Sequence, residues 1–295
     1  MKIAIATPTG NVGRKLVNIL QGIGGHEVLM LARHPERLTN ETLLGATVIT
    51  TDLEVTDSVI AATKGVDALF WVNPPKPTVN DYRAYYKSLA RNAADAAKKN
   101  GIKKIVFLSS IGAHIGKGVG PINGLFDSEQ ILKDAAPSVT FLRPTYFMEN
   151  FFMAQAGIRQ AGSIFLPVSG KTTLPMIATK DIADAACHAL LDTESTGVRI
   201  VPLHGPRDYS FDEAAEIIGK AVGKEVKHVS ITPEQTRDAL ISMGLTEGVA
   251  DTMVEMYTAM DKGILVDEDP RSAESTTPTT LEEFAKETIA PVLKN

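Results

Sequence analysis

Cysteine is almost absent from this 295-residue chain, which contains Cys187 alone. A single cysteine excludes an intramolecular disulfide and the cysteine clusters that bind zinc or iron–sulfur centres. The 6 histidines have none of the spacings, such as His-Glu-x-x-His, that hold a catalytic metal. We therefore predict no metal site.

Long apolar runs and an excess of one charge are also lacking. No hydrophobic stretch reaches the roughly 18 residues that a membrane span requires, and the apolar start at 1–6 is too short for the core of a signal peptide. Lys and Arg number 30 against 35 Asp and Glu, a formal net charge of −5. The chain as a whole has no electrostatic attraction for nucleic acids or anionic membranes. We expect a cytoplasmic protein that binds neither.

Apolar residues make up 44% of the chain, and in the first half they form short runs that alternate with helical stretches. The runs predict buried strands at 2–6, 27–31, 46–50, 68–72, 104–108 and 139–142. Helices are predicted between them at 12–21, 58–63, 81–100 and 123–135. Such alternation is typical of βαβ units, in which helices cover both faces of a parallel sheet. We predict an α/β fold with a Rossmann-type, doubly wound parallel sheet.

The second half is less regular. It predicts a helix starting near 149, short strands at 164–166 and 173–176, helices at 211–222, 233–243 and 247–262, and a loop at 267–280. A helix at 180–191 and a strand at 199–203 indicate a return to the main sheet. The length favours two domains. We predict a Rossmann domain at 1–150 with return segments at about 179–204, and a smaller, interleaved, mixed α/β substrate lobe at 151–295.

The first predicted strand leads into a glycine-bearing turn and then a helix. The turn contains Thr7, Thr9, Gly10, Asn11, Val12 and Gly13. Free N–H groups and the helix dipole make such a helix start a phosphate site, and the two glycines allow close approach of backbone and helix. The full fingerprint is Gly-x-x-Gly-x-x-Gly, and Thr7 stands at its first position. We favour a dinucleotide-binding turn over an ordinary strand–helix turn.

The end of the second strand distinguishes the two nicotinamide dinucleotides. NAD-binding proteins usually have an acidic residue there, which holds the ribose 2′-hydroxyl. This chain has Arg33 first and Arg37 one turn later, with Glu36 past the strand. Guanidinium groups match the geometry of a 2′-phosphate. The pattern favours NADP(H) over NAD(H), the alternative being a solvated basic loop.

Polar and turn residues follow three further strands. They are Asp52, Leu53, Asn73, Pro74, Ser109 and Ser110. Ligands of doubly wound sheets bind beyond the carboxyl ends of the strands, so we expect these residues to border the cofactor. Each is also compatible with simple turn chemistry.

Segments along nearly the whole chain resemble the NmrA-like group of atypical short-chain dehydrogenases/reductases. They are Thr9–Gly13, Ala32–Glu36, Thr51–Leu53, Asp95–Ala97, Val106–Ser110, Leu142–Asn150, Thr179–Ala183 and Leu203–Pro206. The resemblance implies a Rossmann fold, NADP binding, and nicotinamide contacts at Pro144 and Tyr146. It also implies either a reductase of quinones and similar acceptors or a catalytically silent NADP sensor.

One departure from active short-chain reductases concerns their Tyr-x-x-x-Lys pair, which helps to protonate a carbonyl oxygen. With the register set on Glu129, the two positions are Pro121 and Leu125. Tyr146 and His114 remain as weak candidates for a proton donor, although each is also explained as a cavity wall or a solvated side chain. Without the pair, quinone or enone acceptors are favoured over ketones, because a developing alkoxide needs a donor.

Two functions of different class remain open. The favoured one is an NADPH-dependent oxidoreductase that transfers a hydride to a small apolar acceptor such as a quinone or enone. The alternative is a non-catalytic NADP(H)-sensing protein that binds a protein partner. A nucleotide-sugar epimerase is a third possibility, weakened by the missing pair.

Overall fold

The computed structural model describes residues 1–38, 45–265, 268 and 270–294, apart from the side chains of residues 37 and 294. Its strands are β1 (Lys2–Ala6), β2 (Glu27–Ala32), β3 (Thr47–Thr50), β4 (Ala68–Trp71), β5 (Lys104–Leu108), β6 (Ser138–Pro144), β7 (Tyr146–Phe147), β8 (Ser163–Leu166), β9 (Thr173–Ile177), β10 (Gly197–Leu203), β11 (Asp208–Ser210) and β12 (Lys227–Ser230). The main sheet has 7 parallel strands in the order β10-β6-β5-β4-β1-β2-β3. The predicted Rossmann-type sheet is confirmed.

Among the described residues, seven helices lie between these strands in the chain and four follow the last strand. They are α1 (Asn11–Ile23), α2 (Thr56–Ala62), α3 (Tyr82–Asn100), α4 (Ile122–Leu132), α5 (Gln155–Ala161), α6 (Thr179–Leu191), α7 (Phe211–Val222), α8 (Pro233–Ser242), α9 (Glu247–Asp261), α10 (Leu281–Phe284) and α11 (Ala290–Lys294). Short 3₁₀ helices occur at Pro35–Arg37 and Met148–Ala154, and a π turn at Ala285–Ile289 joins α10 to α11. No helix in the described ranges is long and apolar enough to cross a membrane.

The two faces of the sheet are buried by different helices because side chains alternate along each strand. On β1, Ile3 and Ile5 pack into the cluster that contains residues of α1 and α6. Ala4 and Ala6 join the opposite cluster, with residues of α2, α3 and α4. Burial on both faces explains why the strands are nearly continuous apolar runs.

The smaller lobe packs around a separate apolar cluster that contains Phe151, Tyr209, Phe211 and Phe284. Its strands form two small sheets, β11-β9-β7 and β12-β8. Strands β7, β11 and β12 have 2, 3 and 4 residues, which is too short for a readable alternation, and the sequence did not predict them. The helix expected near residue 149 begins instead as the 3₁₀ segment Met148–Ala154. The domain division at residue 150 stays a prediction.

Return segments α6 and β10 lie where the sequence placed them. Strand β10 pairs with β6 at the edge of the main sheet, and α6 packs beside α1. Part of the predicted loop at 267–280 falls outside the described residues, and residues 270–280 contain no helix.

Candidate functional site

A cavity of about 630 Å³ lies at the carboxyl ends of the central strands. We call it the glycine-turn cavity. Its lining contains Thr7, Pro8, Thr9, Gly10, Asn11, Val12, Gly13, Leu31, Ala32, Arg33, His34, Thr51, Leu53, Glu54, Val72, Pro74, Pro75, Lys76, Tyr85, Leu108 and Phe147. It spans the point where the strand order reverses between β1 and β4, the usual ligand position of a doubly wound sheet.

The turn after β1 leaves room for an anion. Helix α1 begins at Asn11 with Gly10 as its N-cap, and Gly10 has no side chain with which to cap the first N–H groups. A Cβ at Gly13 would lie 2.2 Å from the Thr7 carbonyl oxygen, so helix and turn are in direct contact there. The Gly10 N–H donates to the Thr7 carbonyl at 3.0 Å, so the backbone amides of 11–13 are the ones that would hold a dinucleotide pyrophosphate.

Thr7 stands at the first glycine position of the fingerprint and adopts the backbone conformation expected of a glycine. Its φ is +52°, in the left-handed region that costs a residue with a side chain roughly 1–2 kcal/mol. The turn therefore keeps the shape that a glycine would give it, and the backbone of Thr7 is strained.

Arg33 lines the glycine-turn cavity but is not free of partners. Its Nη2 lies 2.8 Å from Oε1 of Glu54 and 3.3 Å from Oδ1 of Asp52. Lys76 approaches the other oxygen of Glu54 at 2.6 Å and stacks over the Tyr85 ring. The side chain of Arg37, the other predicted phosphate ligand, lies outside the described residues.

Other residues predicted to border the cofactor divide into two groups. Leu53 and Pro74 line the glycine-turn cavity, whereas Asp52, Asn73 and Pro144 are not among the described lining residues of either large cavity. The Asn73 side chain accepts a bond from the Trp71 indole at 3.0 Å and donates to Ser128 at 3.0 Å, so it ties β4 to α4. The contacts of Asp52, Asn73 and Pro144 with the cofactor stay predictions.

A second cavity, of about 620 Å³, adjoins the first at Phe147, which lines both. We call it the tyrosine cavity. Its lining includes Tyr82, Tyr86, Ser109, Ser110, Pro121, Leu125, Tyr146, Phe147, Asn150, His204, Met253, Met256, Tyr257 and Met260. Aromatic rings and polarisable thioethers form a large part of this wall, which suits a flat apolar ligand, and the charged Asp208 and Arg271 also line the cavity.

Tyr146 presents its phenol to the tyrosine cavity from the short strand β7, packed edge-on against Phe151 and Phe211. Burial and the neighbouring Tyr257 raise its pKa well above the ordinary value, although Asn150 opposes the shift. The phenol therefore stays protonated across the physiological range and can donate a hydrogen bond.

Tyr82 and Tyr86 stand one turn apart on α3, and both are buried. The Tyr86 hydroxyl donates to the Tyr82 oxygen at 3.2 Å. Burial raises the pKa of Tyr82, while the hydroxyl of Tyr86 and the backbone of Lys76 oppose that rise. Within the described chain, no acceptor is observed for the proton of Tyr82. That proton is available to a ligand in the tyrosine cavity.

Ser109 and Ser110 follow β5 and line the tyrosine cavity rather than the glycine-turn cavity. The Ser109 hydroxyl donates to the buried carboxylate of Glu129 at 2.6 Å, and Arg143 holds that carboxylate through two contacts of 3.0 and 2.7 Å. This network fixes the orientation of Ser109, with its lone pairs left to accept from a ligand.

His114 is not among the described residues that line either cavity. Its Nδ1 lies 3.9 Å from Oε2 of Glu268. The structure therefore places Tyr146, but not His114, where a bound ligand can be reached. Both remain predictions as proton donors.

Pro121 and Leu125, at the positions of the Tyr-x-x-x-Lys pair, both line the tyrosine cavity. The position that the tyrosine of the pair would occupy therefore lies on the cavity wall, where this chain has aliphatic side chains. Within the described residues, no group of three or more His, Cys, Asp or Glu side chains can hold a metal ion.

Several lining residues were not predicted from the sequence, namely Glu54, Lys76, Tyr82, Tyr85, Tyr86 and Tyr257. Tyr82, Tyr85 and Tyr86 have a spacing that puts them on one side of a helix. That signal was available, but an aromatic stripe at helical spacing usually belongs to the core.

Comparison with known proteins agrees with this architecture. The family model of the NmrA-like family matches residues 1–285. The NAD(P)H azoreductase of Xenophilus azovorans is 30% identical over 255 residues, 86% of each chain. Quinone oxidoreductase 2 of Escherichia coli (strain K12) is 24% identical over 267 residues, 90% of each chain.

The crystal structure of an Escherichia coli NADPH-dependent quinone oxidoreductase complexed with NADPH has a TM-score of 0.80 to this chain. The two are 22% identical, and the match covers 97% of this chain and 99% of that one. This similarity supports the shared fold. The family model matches nearly the full length of the chain, and the azoreductase is 30% identical over 86% of it. This chain therefore belongs to the NmrA-like family.

Proposed function

We propose that this oxidoreductase transfers a hydride from NADPH to a flat, conjugated, apolar acceptor such as a quinone, an enone or an azo compound. The observation that carries the proposal is the adjacency of the two cavities, which meet at Phe147. One has the uncapped helix start and close turn that suit a dinucleotide. The other has the aromatic wall that suits the acceptor.

The relatives support a nicotinamide cofactor and the choice of acceptor class. One is named an NAD(P)H azoreductase and another a quinone oxidoreductase. Azo compounds and quinones share a flat conjugated system that is reduced by two electrons and two protons. Such a molecule can lie against the tyrosine rings.

In the proposed reaction the cofactor supplies the hydride when it is bound. The backbone amides of 11–13 would hold its pyrophosphate, and Arg33 its 2′-phosphate. The tyrosine cavity would orient the acceptor and exclude water from it, since positioning of reactants is a large part of such catalysis. Tyr146 and Tyr82 are protonated phenols on that cavity that would donate a hydrogen bond to the acceptor's oxygen or nitrogen.

The missing Tyr-x-x-x-Lys pair is compatible with this chemistry. Reduction of a quinone spreads the developing charge over a conjugated system, whereas reduction of a ketone places it on one oxygen that needs a strong donor. The aliphatic Pro121 and Leu125 are therefore expected to limit ketone reduction more than quinone reduction.

The test is NADPH oxidation against a panel of quinones, azo dyes, enones and ketones, with NADH in parallel. We expect turnover with the conjugated acceptors and little with ketones. Arg33→Ala should weaken NADPH binding by about tenfold or more, because charge-assisted hydrogen bonds to the phosphate are lost, and leave NADH binding nearly unchanged. Tight NADPH binding without turnover on any acceptor would instead favour the sensor function.

A further inference from the structure

Four charged side chains form a cluster beside the glycine-turn cavity: Arg33, Asp52, Glu54 and Lys76. Glu54 is at its centre, with Oε1 2.8 Å from Arg33 and Oε2 2.6 Å from Lys76. Asp52 adds a second contact to Arg33 at 3.3 Å. The two cations and two carboxylates leave no net charge where a 2′-phosphate is expected.

Glu54 is the carboxylate of this cluster that faces the cavity. It lines the glycine-turn cavity, as do Arg33, Lys76 and Tyr85. Its charge also reaches Tyr85, since burial first and the Glu54 carboxylate second raise the pKa of that phenol. Asp52 is not among the described lining residues, and its Oδ1 also accepts from the Glu54 backbone at 3.0 Å.

A phosphate bound by Arg33 would lie within a few ångströms of the Glu54 carboxylate. Like charges at such a distance repel in water, and several times more strongly in a partly buried site. Glu54 also occupies donors of Arg33 and Lys76 that the phosphate would use. By contrast, the 2′-hydroxyl of NADH carries no charge and can donate to a carboxylate.

We propose that Glu54 sets the cofactor preference of the site, lowering the affinity for NADPH toward that for NADH so that both cofactors are bound. This inference rests on the proposed function, because it assumes that the glycine-turn cavity holds a nicotinamide dinucleotide. It assigns Glu54 a role in specificity and no role in hydride transfer.

The experiment is calorimetric titration of the wild-type protein and Glu54→Gln with NADPH and with NADH. The substitution keeps the size of the side chain and removes its charge. We expect NADPH to bind about tenfold tighter to Glu54→Gln at low salt, with NADH within about twofold of wild type. The gain should shrink at high salt, where charges are screened.

Glu27→Gln is the matched control. Glu27 starts β2 and pairs with Lys2 at 2.9 Å, at the end of the strand away from the cavity. The control loses the same charge and should leave both affinities unchanged.

The possible outcomes separate the inference from the proposed function. If wild type binds neither cofactor, both are wrong. If wild type binds the cofactors but Glu54→Gln leaves the ratio of the two affinities unchanged, or weakens NADPH, the inference alone is overturned. An equal gain in the Glu27→Gln control would also contradict it, because the effect would then come from net charge.

Discussion

At the scale of single residues, the cavities combine apolar walls with a few fixed polar atoms. The buried Glu129 carboxylate orients the Ser109 hydroxyl, and Tyr86 donates to Tyr82. In each pair the protein binds both groups, and one of them, Ser109 or Tyr82, can still form a hydrogen bond to a ligand. This is how a mostly apolar cavity can fix the orientation of an acceptor.

Tyr82→Phe tests whether the free proton of that phenol assists reduction. We expect the kcat to fall about tenfold or more, within the usual range for loss of a proton donor, while the affinity for NADPH stays within about twofold. Steady-state kinetics and cofactor titration measure the two quantities separately. An unchanged kcat would leave Tyr146 or water as the donor.

His228 makes the stability of the small lobe depend on pH. The ring is nearly buried against Phe211, its Nε2 has no hydrogen-bond partner in the described structure, and burial lowers its pKa despite Asp212 at 3.8 Å. The unfolded chain therefore takes up a proton near pH 6.5 that the folded protein resists. Stability should fall as the pH drops below about 6.5, by at most roughly 1.4 kcal/mol per pH unit from this residue.

Urea unfolding at pH 7.5 and 5.5 measures this dependence. The loss of stability on acidification should be smaller in His228→Gln than in wild type. Equal losses in the two proteins would show that His228 does not contribute.

At the scale of elements, the proposed function assigns the cofactor to the junction of β1 and α1. Gly13→Ala should weaken NADPH binding more than tenfold and destabilise the fold by about 1–3 kcal/mol, because the new Cβ would lie 2.2 Å from backbone that cannot move without deforming the turn. Titration calorimetry and thermal unfolding test both effects.

Gly22→Ala is the control on the same helix. A Cβ there has nothing within 4 Å, so the variant should bind NADPH normally and gain up to about 1 kcal/mol from helix propensity. If Gly13→Ala bound NADPH as well as Gly22→Ala does, the close contact at the turn would be irrelevant to the cofactor.

The sequence predicted the elements well where a continuous apolar run or a capping residue marks them. Strands such as β1 and β5 are continuous apolar runs, and α3 is bounded by the capping residue Asp81 and by Gly101 in the left-handed conformation. Strand β7 has two residues, and its position depends on pairing with β9. No local pattern can reveal such an element.

At the scale of the whole molecule, the polar contacts of the site were the part that could not be predicted. Glu54 meets Lys76 22 residues away, and Glu129 meets Ser109 20 residues away. Such contacts are set by the packing of helices on the sheet, which a single sequence does not encode in any readable spacing. The sequence identified the strand ends that border the cavities and left open which side chains turn into them.

The two cavities adjoin at Phe147. The Rossmann sheet provides the glycine-turn cavity, and α3, α4, β7 and α9 enclose much of the tyrosine cavity. The proposed function requires that a hydride pass between ligands bound in these neighbouring cavities.

Anaerobic single turnover of stoichiometric NADPH with a quinone, followed by the loss of NADPH absorbance, tests that claim most directly. We expect one equivalent of quinone to be reduced for each NADPH oxidised, at a rate that depends on Tyr82 and Tyr146. Full binding of NADPH with no absorbance loss, for quinones, enones and azo compounds alike, would contradict it.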